Sequence, residues 1–232
     1  MDPFLRNYQK LKTLDDYFST DAPGIMHEES LTPTTDEQMV LRMLVRPKYG
    51  GFKIPPELDW LYNSILRLAV HDEHLTKINA SWCYVTVRHG PVTTKTDDEW
   101  HFDGSSFRTD IIPERNYVWV NHTPLHFKLG WLNFPDDFDP LRHNLFHFAA
   151  SQLKDAPYRE GASGRWMLIN PFCLHRRSPR VEGNRTFVRV CFTDIEGRDV
   201  NNTANPLLAT PAYGRDPVRS FRDRLKTYGH SS

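Results

Sequence analysis

Residues 185–192 read RTFVRVCF, and the alternation in that run decides the fold class. Successive side chains of a strand point to opposite faces, so Arg185, Phe187, Arg189 and Cys191 share one face. Thr186, Val188, Val190 and Phe192 share the other. Residues 82–88 (WCYVTVR), 117–121 (YVWVN) and 165–170 (RWMLIN) have the same β-branched and aromatic texture and are predicted as strands. Pro, Gly, Asp and Asn cluster between them. Upstream the texture differs. Thr34 and Thr35 ahead of Glu37 and Gln38 form a capping-box pattern, and Met39, Val40, Met43 and Leu44 follow at helical spacing. A second helix is expected from Pro55-Pro56, where Leu58, Leu61, Tyr62, Ile65, Leu68 and Ala69 keep a 3.6-residue period. Residues 141–153 predict an inserted helix.

Helices first and then many short strands give a mostly β fold with flanking helices, a helical layer packed on a β-sandwich or jelly roll. One domain accounts for the chain, with an N-terminal arm and supporting helices over 1–75 and a β core over 80–195. A C-terminal extension over 196–232 ends in a basic, helix-compatible stretch near 216–226.

The 232 residues carry 29 Lys and Arg against 29 Asp and Glu. A balanced charge exerts no global pull on nucleic acid and leaves room only for a local basic face. No apolar run approaches the ~18 residues that span a bilayer, and the start, MDPFLRNYQKLKTL, has no apolar core of a secretory signal. The three cysteines, Cys83, Cys173 and Cys191, lack metal-like spacing, and their odd number argues against a disulfide framework. The expectation is a reducing, cytoplasmic location without a membrane partner; nothing sets the oligomeric state.

Chemistry concentrates at residues 97–107, DDEWHFDGSSF. On a strand His101 and Asp103 project side by side. Two histidines and one carboxylate on one face, with vacant positions opposite, suit non-haem Fe(II). The third ligand is sought on a later strand, and His175 in INPFCLHRRSP (residues 169–179) follows the strand at 165–170 and a turn at Asn170-Pro171. Arg185 lies ten residues further on. Of the other histidines, His71, His74, His89, His126, His143 and His147 read as loop or helix-surface residues.

This H-x-D, distal His and following Arg resemble the Fe(II)/2-oxoglutarate-dependent dioxygenases, and WHFDGSSF looks like the W-H-x-D segment of the taurine/clavaminate-type branch. The resemblance spans about residues 82–194. It implies a double-stranded β-helix, jelly-roll or cupin-like, as the core. It also implies Fe(II) held by His101, Asp103 and His175, with 2-oxoglutarate and O2 as cosubstrates. Arg185 would pair with the far carboxylate of 2-oxoglutarate, a task suited to a planar two-pronged donor. Arg189 would grip an acidic group of the substrate. The strand at Tyr117 would supply a polar wall, with Tyr117 or Thr123 helping Arg185 and Asn121 meeting the end of 2-oxoglutarate nearer the metal. Trp100, Trp119 and Arg88 would line the substrate side, with Arg108 as a further anion clamp. One departure is that residues 120–124, VNHTP, replace the Gly-Gly-Asp-Thr-like turn of the taurine branch, which leaves the branch open.

The implied reaction is hydroxylation of a C–H bond with succinate and carbon dioxide as coproducts. Desaturation and cyclisation are variants, and Asp103 argues against halogenation. A small anionic or amino-acid-like metabolite is the favoured substrate. A nucleic-acid base or nucleotide is the alternative, with HRRSPRVEGNR (175–185) and Arg215, Arg219, Arg222, Arg224 and Lys226 as a phosphate track. A non-catalytic β-sandwich binding module and a cupin-like metalloenzyme without 2-oxoglutarate are readings of other classes.

Overall fold

The computed structural model describes residues 17–77, 81–92, 99–103, 114–135, 137, 143–179, 183–209 and 214. The basic stretch at 216–226, Arg108, and most of the arm lie outside them. Strands β1 (Tyr17–Ser19), β2 (Gly24–Glu28) and β3 (Gln38–Arg46) come first. A 3-10 turn over Pro56–Leu61 leads into α1 (Tyr62–Thr76). Then follow β4 (Trp82–Pro91), β5 (Arg115–Val120), β6 (Leu125–Lys128), β7 (Trp131–Asn133), α2 (Leu145–Gln152), β8 (Tyr158–Glu160), β9 (Arg165–Ile169), β10 (Leu174–Arg177) and β11 (Asn184–Thr193).

Two antiparallel sheets carry the architecture. The larger has the order β2-β9-β5-β11-β4-β3 and the smaller β10-β6-β8, while β1 and β7 pair separately. Four layers result, because three apolar clusters hold neighbouring layers together. Leu58, Leu61, Ile65 and Leu68 from the helical segment pack on Val85, Val87, Val188, Val190 and Phe192, the outer face of the larger sheet. Between the sheets lie Val118, Val120, Met167 and Ile169 against Leu125, Phe127 and Cys173, with Phe187 at the margin. A third cluster joins Phe102 and Leu174 to Ala149 of α2 and to Leu153. Asn144 caps α2, its side-chain oxygen accepting from the backbone N–H groups of Phe146 and His147 at 3.0 and 3.2 Å.

The helix expected after Thr35 is the strand β3. It pairs with β4 in a register that shifts between Val40 and Met43 and again between Leu44 and Arg46. A bulge adds a residue to one strand of a pair, so the apolar positions fall three apart and imitate a helical period. The bulge places Arg42 at φ 45°, a left-handed conformation uncommon outside glycine. The expected N-terminal arm contributes β2, which extends the larger sheet beyond β9. His126, expected at the surface, is 3% exposed and stacks on Tyr158 at 4.0 Å.

A buried ion pair ties α1 to β5. Arg115 donates from Nε and Nη2 to the two carboxylate oxygens of Asp72, at 2.9 and 2.7 Å, and Nη2 also meets Ser81 Oγ. Their side chains are 0% and 2% exposed. The Tyr117 hydroxyl donates to Asp72 at 3.1 Å, so the carboxylate is satisfied on several sides, as burial of a charge demands.

Candidate metal centre

His101 and His175 come from segments 74 positions apart, and a short antiparallel bridge brings them together. His101 N–H donates to the His175 carbonyl at 2.9 Å, and His175 N–H to the His101 carbonyl at 3.0 Å. This doubly bonded pair aligns the two imidazoles, whose centroids are 4.5 Å apart. Alternation returns Asp103 to the same face as His101 and sends Phe102 into the cluster beneath α2. One ligand atom from each of His101, Asp103 and His175 lies within 4.8 Å of the others.

The donor set suits a divalent cation. His101 Nδ1 lies 2.8 Å from the Glu99 carbonyl and His175 Nδ1 lies 2.9 Å from the Cys173 carbonyl. A carbonyl accepts only, so each Nδ1 carries the proton and each Nε2 keeps its lone pair for a metal. His175 Nε2 stands 3.6 Å from Asp103 Oδ2. Burial alone would raise the Asp103 carboxyl. The guanidinium of Arg189 is the largest opposing influence, and the net effect of its surroundings holds the group well below the usual carboxylate range. Asp103 is thereby an anion and an acceptor.

Register on β11 sets the rest of this face. Arg189 faces Thr86 of β4 and Val118 of β5; Phe187 faces Arg88 and Val120; Arg185 faces Gly90. The face expected from the sequence is therefore the inward one. Arg189 donates from Nη1 to Asp103 Oδ2 at 2.7 Å, so it meets the candidate ligand directly. Arg185 is 6% exposed and lies over the Phe187 ring at 5.2 Å. Arg88 is half-buried on the same face.

Other expected residues fall elsewhere. Tyr117 and Trp119 point to the outer face of the larger sheet, the first to Asp72 and the second to the Glu29 carbonyl at 2.9 Å. The aliphatic set, Val118 and Val120, is the one that lines the inter-sheet space. Asn121 joins β5 to β11: its Oδ1 accepts from Thr186 N–H at 3.1 Å, and its Nδ2 donates to the Asn184 carbonyl at 3.2 Å. Thr123 is buried in the turn between β5 and β6. Trp100 packs with the α2 cluster beneath Arg176 and Lys128, at 4.5 and 5.2 Å from its ring. It packs beside His101 in the ligand segment, against the cluster beneath α2.

Two residues that the sequence reading missed complete the site. Arg42 donates from Nη1 and Nη2 to the two carboxylate oxygens of Glu114, at 3.1 and 3.0 Å. Burial would raise the Glu114 carboxyl, but Arg42 foremost, with Arg189 adding to it, brings it down to about 2. The available signal was parity: Asn116, Val118 and Val120 are the inward set of β5, and Glu114, just ahead of the strand, continues it.

Neither a family profile nor a curated protein matches this sequence. Among solved structures, the chain is similar to AviO1 from Streptomyces viridochromogenes Tue57, with 14% identity over 89% of each chain and a TM-score of 0.39. It is also similar to EvdO2 from Micromonospora carbonacea var. aurantiaca in complex with 2-oxoglutarate. There the identity is 11% over 89% of this chain and 86% of that one, with a TM-score of 0.38. Likenesses this distant leave the functional reading to the residues themselves.

Proposed function

We propose that the protein is a non-haem Fe(II)- and 2-oxoglutarate-dependent oxygenase that hydroxylates a C–H bond of a small anionic or amino-acid-like metabolite. The observation that carries this reading is the cluster of His101, Asp103 and His175 ligand atoms within 4.8 Å of one another, with both Nδ1 atoms tied to backbone carbonyls. Strand order supports a jelly-roll core: β5, β9 and β11 lie in the larger sheet while β6, β8 and β10 lie in the smaller. The chain thus leaves the larger sheet after β5 for β6 and β8 of the smaller, returns at β9, and crosses once more through β10 to β11.

His101, Asp103 and His175 would hold the iron through one atom each. When bound there, iron with 2-oxoglutarate supplies activation of dioxygen, giving succinate, carbon dioxide and a hydroxylated product. The chain's own part is placement. The bridge between His101 and His175 fixes ligand spacing before anything binds, which avoids an ordering cost on loading. Arg185, on the inward face of β11, is assigned the far carboxylate of 2-oxoglutarate. Its position four residues from Arg189 separates the cosubstrate's end from the ligand end of the pocket. Phe127, Phe187, Val118 and Val120 keep the intervening space apolar, which strengthens charge pairing at both ends.

The test is succinate formation by the Fe(II)-loaded protein with 2-oxoglutarate, against pools of acidic metabolites and of oligonucleotides. The reading expects slow turnover alone and stimulation by one or more acidic metabolites. Stimulation only by oligonucleotides would replace the substrate class, and no succinate under any condition would overturn the oxygenase. Arg185→Lys should raise the 2-oxoglutarate Kd about tenfold or more, since one point charge replaces a bidentate fork, while leaving metal affinity unchanged. A metalloenzyme that does not use 2-oxoglutarate would be indifferent to it.

A further inference from the structure

Four charges of alternating sign run from the edge of the larger sheet to the candidate ligand. Arg42 grips Glu114 with both prongs of its guanidinium. The same guanidinium lies over the Tyr84 ring at 4.9 Å; Tyr84 is the cross-strand partner of Cys191, which is two residues from Arg189 on the same inward face. Arg189 in turn touches Asp103. The backbone is shaped for this chain of contacts. The β3 bulge that turns Arg42 to φ 45° lets its N–H donate to Thr86 Oγ1 at 3.1 Å, and Thr86 is the cross-strand partner of Arg189. A non-glycine residue in left-handed backbone costs energy, and bulges recur where a side chain must be re-aimed beside a site. Here the re-aimed side chain is Arg42.

We propose that Glu114, held by Arg42, is a positioning residue that sets how strongly Arg189 competes for Asp103, and thereby tunes the affinity of the triad for a divalent cation. The proposal rests on the metal-binding reading above. Its physics is a sequence of signs. A cation approaching Asp103 is repelled by Arg189, which already draws on the same carboxylate oxygen. Glu114 offsets Arg189, and Arg42 draws Glu114 away from it. The mutual electrostatic stabilisation of Glu114 and Arg189 agrees with this geometry. Removing Glu114's charge therefore leaves Arg189 uncompensated and weakens metal binding. Removing Arg42's charge frees Glu114 to neutralise Arg189 and strengthens metal binding. A purely structural pair would weaken binding in both cases.

The experiment is anaerobic titration of the full chain with Co(II), read by its visible spectrum, for the wild type and for Glu114→Gln, Arg42→Gln, Arg189→Gln and Glu114→Gln/Arg189→Gln. Glu114→Gln should raise the Kd about tenfold, the order expected when one compensating charge is lost from a partly buried cluster. In the Arg189→Gln background the same change should move it by less than about twofold. Arg42→Gln should lower the Kd several-fold, and it carries the test by itself if Glu114→Gln does not fold. Equal affinities for Glu114→Gln and wild type, an undiminished effect in the Arg189→Gln background, or weakened binding in Arg42→Gln would each overturn the proposal. A wild-type protein that binds no Co(II) would overturn the metal reading itself. Wild-type binding with an uncoupled cycle would overturn only the role of Glu114.

Discussion

Asp103 is touched by the Arg189 guanidinium and also stands with His101 and His175 in the candidate metal-holding group. The pairing with Arg189 keeps it ionised, and Glu114 is held by the same logic one step further out. The Glu114 carboxyl lies at about 2 against an ordinary value of 4.5. A depressed folded value stabilises the folded state fully above pH 4.5, and the contribution disappears as pH falls towards 2. The shift corresponds to on the order of 3 kcal/mol. Urea unfolding of Glu114→Gln between pH 2 and 6 should therefore give a flatter acid limb than wild type; parallel curves would contradict the assignment. The triad was legible in the sequence because H-x-D is a local period-two pattern and the distal histidine closes a strand-turn unit. The Arg42–Glu114 pair was not, since its members are 72 residues apart and meet only through a bulge that sequence spacing disguises.

The elements β3 and β5 show how a correct period can still mislead. In β3 the register shifts of a bulged strand spaced Met39, Val40, Met43 and Leu44 as a helix would. In β5 alternation was right, but the pocket was assigned to the aromatic face, whereas Tyr117 and Trp119 are covered by α1 and the Glu29 segment. If Tyr117 serves α1 rather than the cosubstrate, Tyr117→Phe should cost about 1 kcal/mol of stability, the worth of one buried hydrogen bond. The 2-oxoglutarate Kd should stay within twofold, and a tenfold rise would return Tyr117 to the pocket. The ion pair beneath it makes a larger prediction. Asp72→Asn leaves Arg115 buried without its anion and should destabilise by about 3–5 kcal/mol, measured by urea unfolding. A loss below about 1 kcal/mol would mean that the pair is not the tie between α1 and β5.

Across the molecule, the long strands and α1 were readable because each extends far enough to display a period, and each buries a continuous face. Strands β6, β8 and β10 have four, three and four residues, too few for alternation to show, yet β6 and β10 form the sheet that carries His175. Among the described residues no helix is long and apolar enough to cross a membrane. The layered design explains why the candidate centre sits where it does. The larger sheet supplies the cationic face of β11, and the smaller sheet brings His175 against it with the His101 segment bonded to its edge. The most direct measurement is anaerobic titration of Fe(II) into the protein with saturating 2-oxoglutarate, followed by visible absorption. The account predicts a weak band that saturates at one iron per chain and is abolished by His175→Ala in a folded protein. No band in the wild type, or an undiminished band in His175→Ala, would contradict it.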